Sequence, residues 1–282
     1  MVTVRANPLP LLAGLLLLTA CSSGGGTAPA ASPTPPPSAG PVTTSSAPPA
    51  SRPSTTPTAA PVEVPAAAGK VVVLDPGHNG GNASHPAEIN RSVPAGRGAM
   101  KPCNTTGTAT NAGYPEHAFT FAVAREVGDA LAAKGIKVVY TRTNDSGVGP
   151  CVDRRAAIGN DAHADAVVSI HADGATSAGA HGFHVSYSSP PLNAAQGAPS
   201  IRLARAIRDG MTAGGFTTST YLGSAGLFPR SDLGGLNLST RPTVLVECGN
   251  MRNTTEAALM TSAAGRAKYA AAIAEAIETY LA

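Results

Sequence analysis

The chain has 282 residues, a formal net charge of +3, no Trp and 4% aromatic residues. So small a basic excess, scattered rather than clustered, lacks the electrostatic footprint of a nucleic-acid binder, and the scarcity of aromatics removes a stacking platform for bases. The length accommodates one large domain or two small ones, and the average composition hides three different regions.

Residues 1–21 read as an export signal, with Arg5 as the positive start and Leu11–Ala20 as an apolar core too short to span a bilayer. The segment closes on Leu-Thr-Ala-Cys, Leu18 to Cys21, which resembles the lipobox of bacterial lipoproteins, where the Cys becomes the lipidated first residue of the mature chain. An ordinary secretory peptide with Cys21 incidental is the other reading, and both export the protein. Residues 22–68 are almost only Ala, Pro, Ser, Thr and Gly, with Arg52 and Glu63 the only charges. Such a segment lacks the apolar area to offset the entropy of ordering and is expected to be a disordered linker. As a flexible coil it would reach about 35–40 Å.

From Gly69 onward strand and helix signals alternate. Val71–Leu74 is an unbroken apolar β-branched run, the mark of a strand covered on both faces, and Pro76 and Gly77 stop it. His78 follows in a loop. The long Gly-rich stretch to Pro115 precedes a helix over Pro115–Ala133, with Phe119, Val123, Val127 and Leu131 on one face. Ile136–Arg142 is a strand, Val152–His163 a short helix, and Ala166–Asp173 a further strand. Gly182–Ser188 alternates like an edge strand, and Ser200 is placed to cap a helix over Ile201–Met211. Thr243–Asn250 is another buried strand, and Ala267–Leu281 closes the chain as a helix with Tyr269, Ile273, Ile277 and Leu281 in register. This order predicts an α/β fold: a single domain, residues 69–282, with a central mostly parallel sheet flanked by helices on both faces.

With Cys21 assigned to lipid, Cys103, Cys151 and Cys248 remain. Cys103 and Cys151 stand in Gly/Pro/Asn-rich loops and are expected to pair in an oxidising exported setting, with free thiols as the alternative. Cys248 ends a buried strand and is expected to stay free.

Three apolar runs end on polar groups: Val71–Asp75 leads to His78, Ala166–Ile170 to His171, and Thr243–Val246 to Glu247. In a parallel sheet these ends share one edge, so the side chains can converge. A carboxylate ending an apolar strand is costly to bury unless it is paired or bound to a cation, and imidazoles with an acidic oxygen suit one Zn²⁺. The third ligand stays open between Glu116, in the first turn of its helix, and the adjacent His117. His85, His163, His181 and His184 have no comparable context. Asp75 and Asp173 are read as groups that orient an imidazole. Arg91, Arg97 and Lys101, in the long stretch 79–115, are candidates to touch an anionic substrate or to belong to a lid.

Taken together, VVVLDPGHNGG, Glu116 with Phe119, VVSIHAD and PTVLVECGNMRN resemble the zinc-dependent N-acetylmuramoyl-L-alanine amidases of bacterial cell walls, the amidase_3 family. The resemblance spans nearly all of residues 69–282 in order, including the Arg-rich stretch and helix before His171. It implies that His78, Glu116 and His171 hold zinc and that Glu247 is the catalytic acid/base. It also implies a peptidoglycan hydrolase that cuts between N-acetylmuramic acid and L-alanine of the stem peptide. A zinc peptidase acting on the stem, or an inactive wall-binding or activator module, are the alternatives. Asn79 after His78, Asp173 in IHAD and the ECGNMRN ending depart from the family pattern and leave the substrate groove in question. The Ala- and Pro-rich composition is of the actinobacterial type. The expected partners are peptidoglycan, the membrane through a lipid anchor only, and an unidentified activator if there is one. The protein is expected to be a monomer, exported and held on the outer face of the plasma membrane, or secreted to the wall if Cys21 is not lipidated.

Overall fold

Side-chain alternation along three central strands decides where the core lies and where the polar chemistry goes. In the computed structural model, which describes residues 67–282, a six-stranded sheet is built from β1 (Val71–Pro76), β4 (Lys137–Tyr140), β5 (Ala166–Asp173), β6 (His184–Ser188), β7 (Leu227–Arg230) and β8 (Thr243–Asn250). Its order is β4-β1-β5-β8-β6-β7; the first four strands are parallel, β6 is antiparallel to β8, and β7 is parallel to β6. The signal segment, Cys21 and nearly all of the linker lie outside the described residues.

Val72 and Leu74 of β1, Val168 and Ile170 of β5, and Val244 and Val246 of β8 join the main core on one face. There they meet α2 (Glu116–Ala133), α4 (Ala198–Ala213) and α7 (Ala263–Leu281), and α7 packs against both other helices. The helical stripe read from the sequence is buried as expected: Phe119, Val123, Val127 and Leu131 on α2, Tyr269, Ile273 and Ile277 on α7. Side chains of this size contribute about 1.5–3 kcal/mol each when fully buried. The opposite face carries only a small apolar cluster of Val73, Ala164 and Val167. It is covered by α3 (Val152–Asp161) and α5 (Gly234–Asn237). The period of two therefore sends Ser169, His171, Leu245 and Glu247 to this second face. Helices on both faces and a mostly parallel sheet agree with the reading from sequence.

Four details differ. β6 is no edge strand, because β7 pairs along its free side. Ser200 does not cap α4; it lies inside the first turn, where its hydroxyl donates to the Ala195 carbonyl and accepts from the Thr243 amide, tying helix to sheet. Ser262 caps α7, accepting from Gly265 N, so that helix starts earlier than its apolar stripe shows. The stretch 79–115 is not a plain loop. It holds the short helix α1 (Pro86–Ile89) and a two-stranded antiparallel hairpin, β2 (Ser92–Pro94) with β3 (Met100–Pro102), and the Cys103–Cys151 disulfide staples the hairpin's exit to the start of α3. Cys248 is free and buried. A further helix, α6 (Thr254–Thr261), precedes α7. Among the described residues no helix is long and apolar enough to cross a membrane.

Candidate metal centre and active site

His78 leaves the end of β1 in a left-handed conformation, φ 59°, which is uncommon for a residue with a Cβ and costs about 1 kcal/mol or more. Two buried arginines hold the turn in that shape. Arg155 of α3 donates to the carbonyls of Pro76 (2.7 Å) and His78 (2.9 Å), and Arg142, just after β4, to those of Pro76 (2.9 Å) and Gly77 (3.2 Å). His78 Nδ1 lies 3.0 Å from the Thr105 carbonyl; the tautomer that donates its Nδ1–H there leaves the Nε2 lone pair free toward the centre.

Glu116 opens α2 behind Pro115 and is 4% exposed. Its Oε1 lies 3.1 Å from His78 Nε2 and 3.0 Å from His171 Nδ1 and also accepts from Ala172 N, while Oε2 accepts from Thr108 N. Burial works to raise the Glu116 pKa, but the electrostatic pull and hydrogen bonds of the neighbouring His78 and His171 rings outweigh it and hold the carboxyl well below its ordinary range. One donor atom each from His78, Glu116 and His171 lies within 4.8 Å of the others. The two Glu116–His spacings near 3 Å are close to the edge of about 3.3 Å expected for a tetrahedron with bonds of about 2.0–2.1 Å, and two imidazoles with one carboxylate are a donor set that suits a zinc ion.

Two glycines make this approach possible. A Cβ on Gly77 would overlap the His171 ring, and a Cβ on Gly107 (φ +77°) would stand 2.8 Å from both Glu116 Oε2 and His78 Cδ2. Only backbone fits against the ligands there.

Glu247 lies opposite His171 in the β5–β8 register and on the same face. Burial, with the negative charges of Glu116 and Asp173, pushes its carboxyl well above the ordinary range, against a smaller opposing effect of Arg230. A buried carboxyl with raised proton affinity, beside a cluster of residues that could hold a metal, has the chemistry a general base needs. Below it, between the sheet, α3 and α5, a cavity of about 290 Å³ opens beside His78 and His171, with Val152, Leu236 and Leu245 in its walls.

Of the residues singled out from the sequence, the structure brings together His78, Glu116, His171 and Glu247. His117 is the rival that loses: its Nδ1 pairs with Asp145 at 2.8 Å instead. Asp75 orients no imidazole. Its carboxylate is taken by Arg155 and Thr141 (both 2.6 Å) and by Ser169 (2.6 Å), because β1 alternation points it at α3. Asp173 likewise touches neither ligand histidine, and its carboxylate accepts from Gly174 N. The hairpin cations make contacts of their own: Arg91 with Cys151 Sγ, Arg97 with Asn237, Ser188 and Pro190, and Lys101 with Asp232 at 3.3 Å while also lining the cavity beside His78 and His171. What sequence reasoning missed is the support: Thr105, Gly107 and the two arginines. The Gly in Asp-Pro-Gly-His and the Arg-rich stretch were the only local signals.

The sequence and fold match those of bacterial cell-wall amidases. N-acetylmuramoyl-L-alanine amidase Rv3717 of Mycobacterium tuberculosis is 50% identical over 215 residues, 76% of this chain and 88% of its own. The crystal structure of the amidase Ami1 from Mycobacterium smegmatis is 53% identical with a TM-score of 0.74, covering 76% of this chain and 97% of that one. Ami1 from Mycobacterium abscessus gives the same identity and TM-score, covering 76% and 100%. The family model Amidase_3, N-acetylmuramoyl-L-alanine amidase, matches residues 72–279, from the second residue of β1 to the last turn of α7. With its three-donor cluster at the ends of β1 and β5 and its carboxyl at the end of β8, the chain belongs to the N-acetylmuramoyl-L-alanine amidase family.

Proposed function

We propose that this chain hydrolyses the amide bond between N-acetylmuramic acid and L-alanine in peptidoglycan, the activity its relatives are named for. The observation that carries it is the His78–Glu116–His171 cluster facing Glu247 at one sheet edge. His78, Glu116 and His171 would hold Zn²⁺, which when bound polarises a carbonyl and lowers the pKa of a coordinated water.

The chain's own groups do the rest. Glu247 takes a proton from the attacking water as the new C–O bond forms, then delivers it to the leaving amine nitrogen as the C–N bond breaks. Proton transfer of this kind supplies about 10²–10⁴-fold in rate. Burial keeps the Glu247 carboxyl basic enough to accept the proton. The Thr105 carbonyl and the Arg142–Arg155 clamp hold His78 in place, so little reorganisation is needed when substrate arrives. The cavity beside the two histidines gives an uncharged part of the substrate somewhere to sit.

The decisive experiment combines zinc content with mass-spectrometric analysis of products from a muramyl-peptide. Stoichiometric zinc, free L-Ala-terminated peptide and peptide-free muramic sugar are the expected result, and Glu247→Gln should retain metal while losing turnover. Cleavage inside the peptide would make the protein a stem peptidase. Lipidation at Cys21, and with it a site of action at the outer face of the plasma membrane, is part of the same proposal and rests on the Leu18–Cys21 motif.

A further inference from the structure

Just past the strand that carries Glu247, the chain turns into a surface that the metal centre does not use. Met251 N donates to the Asp173 carbonyl at 2.7 Å and Arg252 N to Asn250 Oδ1 at 3.0 Å. Asn250 is buried, and its Nδ2 donates to the carbonyls of Ala175 and Ala180, both at 2.9 Å. These bonds fix the backbone of Arg252 at the sheet edge where β1, β5 and β8 end.

Two hollows meet at this arginine. One, of about 420 Å³, has Asn79, Thr106, Thr108 and His117 in its walls; the other, of about 370 Å³, runs along residues 175–180 to Asn253. Arg252 is the one residue they share, and among the described residues no Asp or Glu lines either. The first hollow adjoins the metal centre through residues 105–108. Thr105 lines the cavity beside His78 and His171, Gly107 stands against His78 and Glu116, and Thr108 N donates to Glu116 Oε2.

The Arg252 side chain is half-buried, and its charge goes unanswered. Nη1 donates to the neutral amide oxygen of Asn111 at 3.2 Å, Asn111 Nδ2 donates back to the Arg252 carbonyl at 3.3 Å, and Nε is buried without a partner. Arg142, Arg155 and Arg230 each pair with an aspartate; among the described residues no carboxylate pairs with Arg252. Taking a cation partly out of water is costly unless an anion answers it, and the guanidinium fork matches a carboxylate.

We infer that Arg252 binds a carboxylate of the substrate and that the two hollows seat the half that carries it. The inference rests on the proposed amide hydrolysis, which says which half that is. The lactyl carboxyl of the muramic sugar is consumed in the scissile amide, so the free carboxylates belong to the peptide. The peptide half therefore runs past residues 106–109 to Arg252. Arg252 lies in ECGNMRN, a stretch that departs from the family pattern, so its role is substrate preference rather than the shared chemistry.

The test uses the zinc-loaded full chain and two probes, N-acetylmuramoyl-L-alanyl-D-glutamate and the same molecule with both carboxyls converted to carboxamides. The acid should be the better substrate by about 10–100-fold in kcat/KM, chiefly through KM, and Arg252→Gln should bring the two probes toward equality. Arg252→Lys, a cation without the fork, should restore part of the preference. A merely structural defect would lower both probes alike and leave their ratio standing. Equal rates on acid and amide in the unaltered chain, or a ratio that survives Arg252→Gln, would overturn the inference. A chain that cuts neither probe would instead refute the proposed hydrolysis, and the same ratio read as calorimetric Kd values then decides the role of Arg252.

Discussion

Replacing Arg155 by Met is the perturbation that tests most directly how the fold holds the His78 turn and, through it, the proposed zinc site. The guanidinium is 6% exposed and makes four close contacts: Asp75 Oδ1 at 2.6 Å and the carbonyls of Pro76 (2.7 Å), His78 (2.9 Å) and Pro150 (2.9 Å). Met retains much of the apolar stem and none of the donors. Asp75 would keep Thr141 and Ser169 but lose the buried guanidinium bonded to it, and removing one partner of a buried ion pair costs about 3–5 kcal/mol. The His78 turn would also lose two of the hydrogen bonds that hold a left-handed residue in place, which should weaken zinc binding about 10–100-fold. Denaturant unfolding measures the first effect and chelator competition the second. The double variant Asp75→Leu with Arg155→Met separates them. Without the stranded carboxylate, most of the stability should return, but zinc affinity should not, since the carbonyl contacts are still missing. Native-like unfolding of Arg155→Met, or full recovery of zinc affinity in the double variant, would refute the reasoning.

Three other outcomes follow from the same structure. Gly77→Ala should abolish stoichiometric zinc, because the new Cβ overlaps the His171 ring and pushes it from Glu116; metal analysis showing a full site would refute the close approach. Replacing Cys103 and Cys151 by Ser should lower stability by up to about 4 kcal/mol, the chain-entropy value for a sequence separation of 48, measured by unfolding with and without reductant. Asp75 should make stability acid-sensitive. Burial raises its pKa, but the Arg155 charge and the hydrogen bonds from Ser169, Thr141 and Arg155 bring it to about 2 from the ordinary 3.8. A depressed carboxyl stabilises fully above its unfolded value and loses that contribution as pH falls from 3.8 through about 2, here about 2 kcal/mol; Asp75→Asn should unfold with a flatter pH dependence in that window.

The strands and their burial were legible because continuous runs such as Val71–Leu74 carry their own signal, and strand ends in a parallel sheet fall on one edge whatever the rest of the fold does. His78, His171 and Glu247 could therefore be chosen from local pattern. Glu116 and His117 could not be separated that way, since both sit in the same helical turn and only the direction of the side chain decides. Asp75 was misassigned because its partner, Arg155, is 80 residues away and the pairing depends on which helix covers which face. The internal contacts of the hairpin cations are hidden for the same reason: Arg97 bonds Asn237 and Ser188, contacts that no local spacing encodes. β6 read as an edge strand because its neighbour, β7, is four residues long and interrupted by Pro229, too weak a run to announce itself.

The reversed direction of β6 also bears on how this enzyme family can vary by insertion and deletion. Loops at the tips of α/β sheets usually absorb length changes with little harm, since they only lengthen the connection. The segment from Gly174 to Phe183 is different, because the strand that follows it pairs His184 with Glu247 from its first position and sends Val185 into the core. Adding or removing one residue without restoring the register would turn β6 over, sending an imidazole into the hydrocarbon interior and a valine toward the carboxylate. Length changes there should survive only where the loop can bulge and leave the pairing of His184 with Glu247 untouched, so this short stretch is expected to be far less free to drift in length than its surface position suggests.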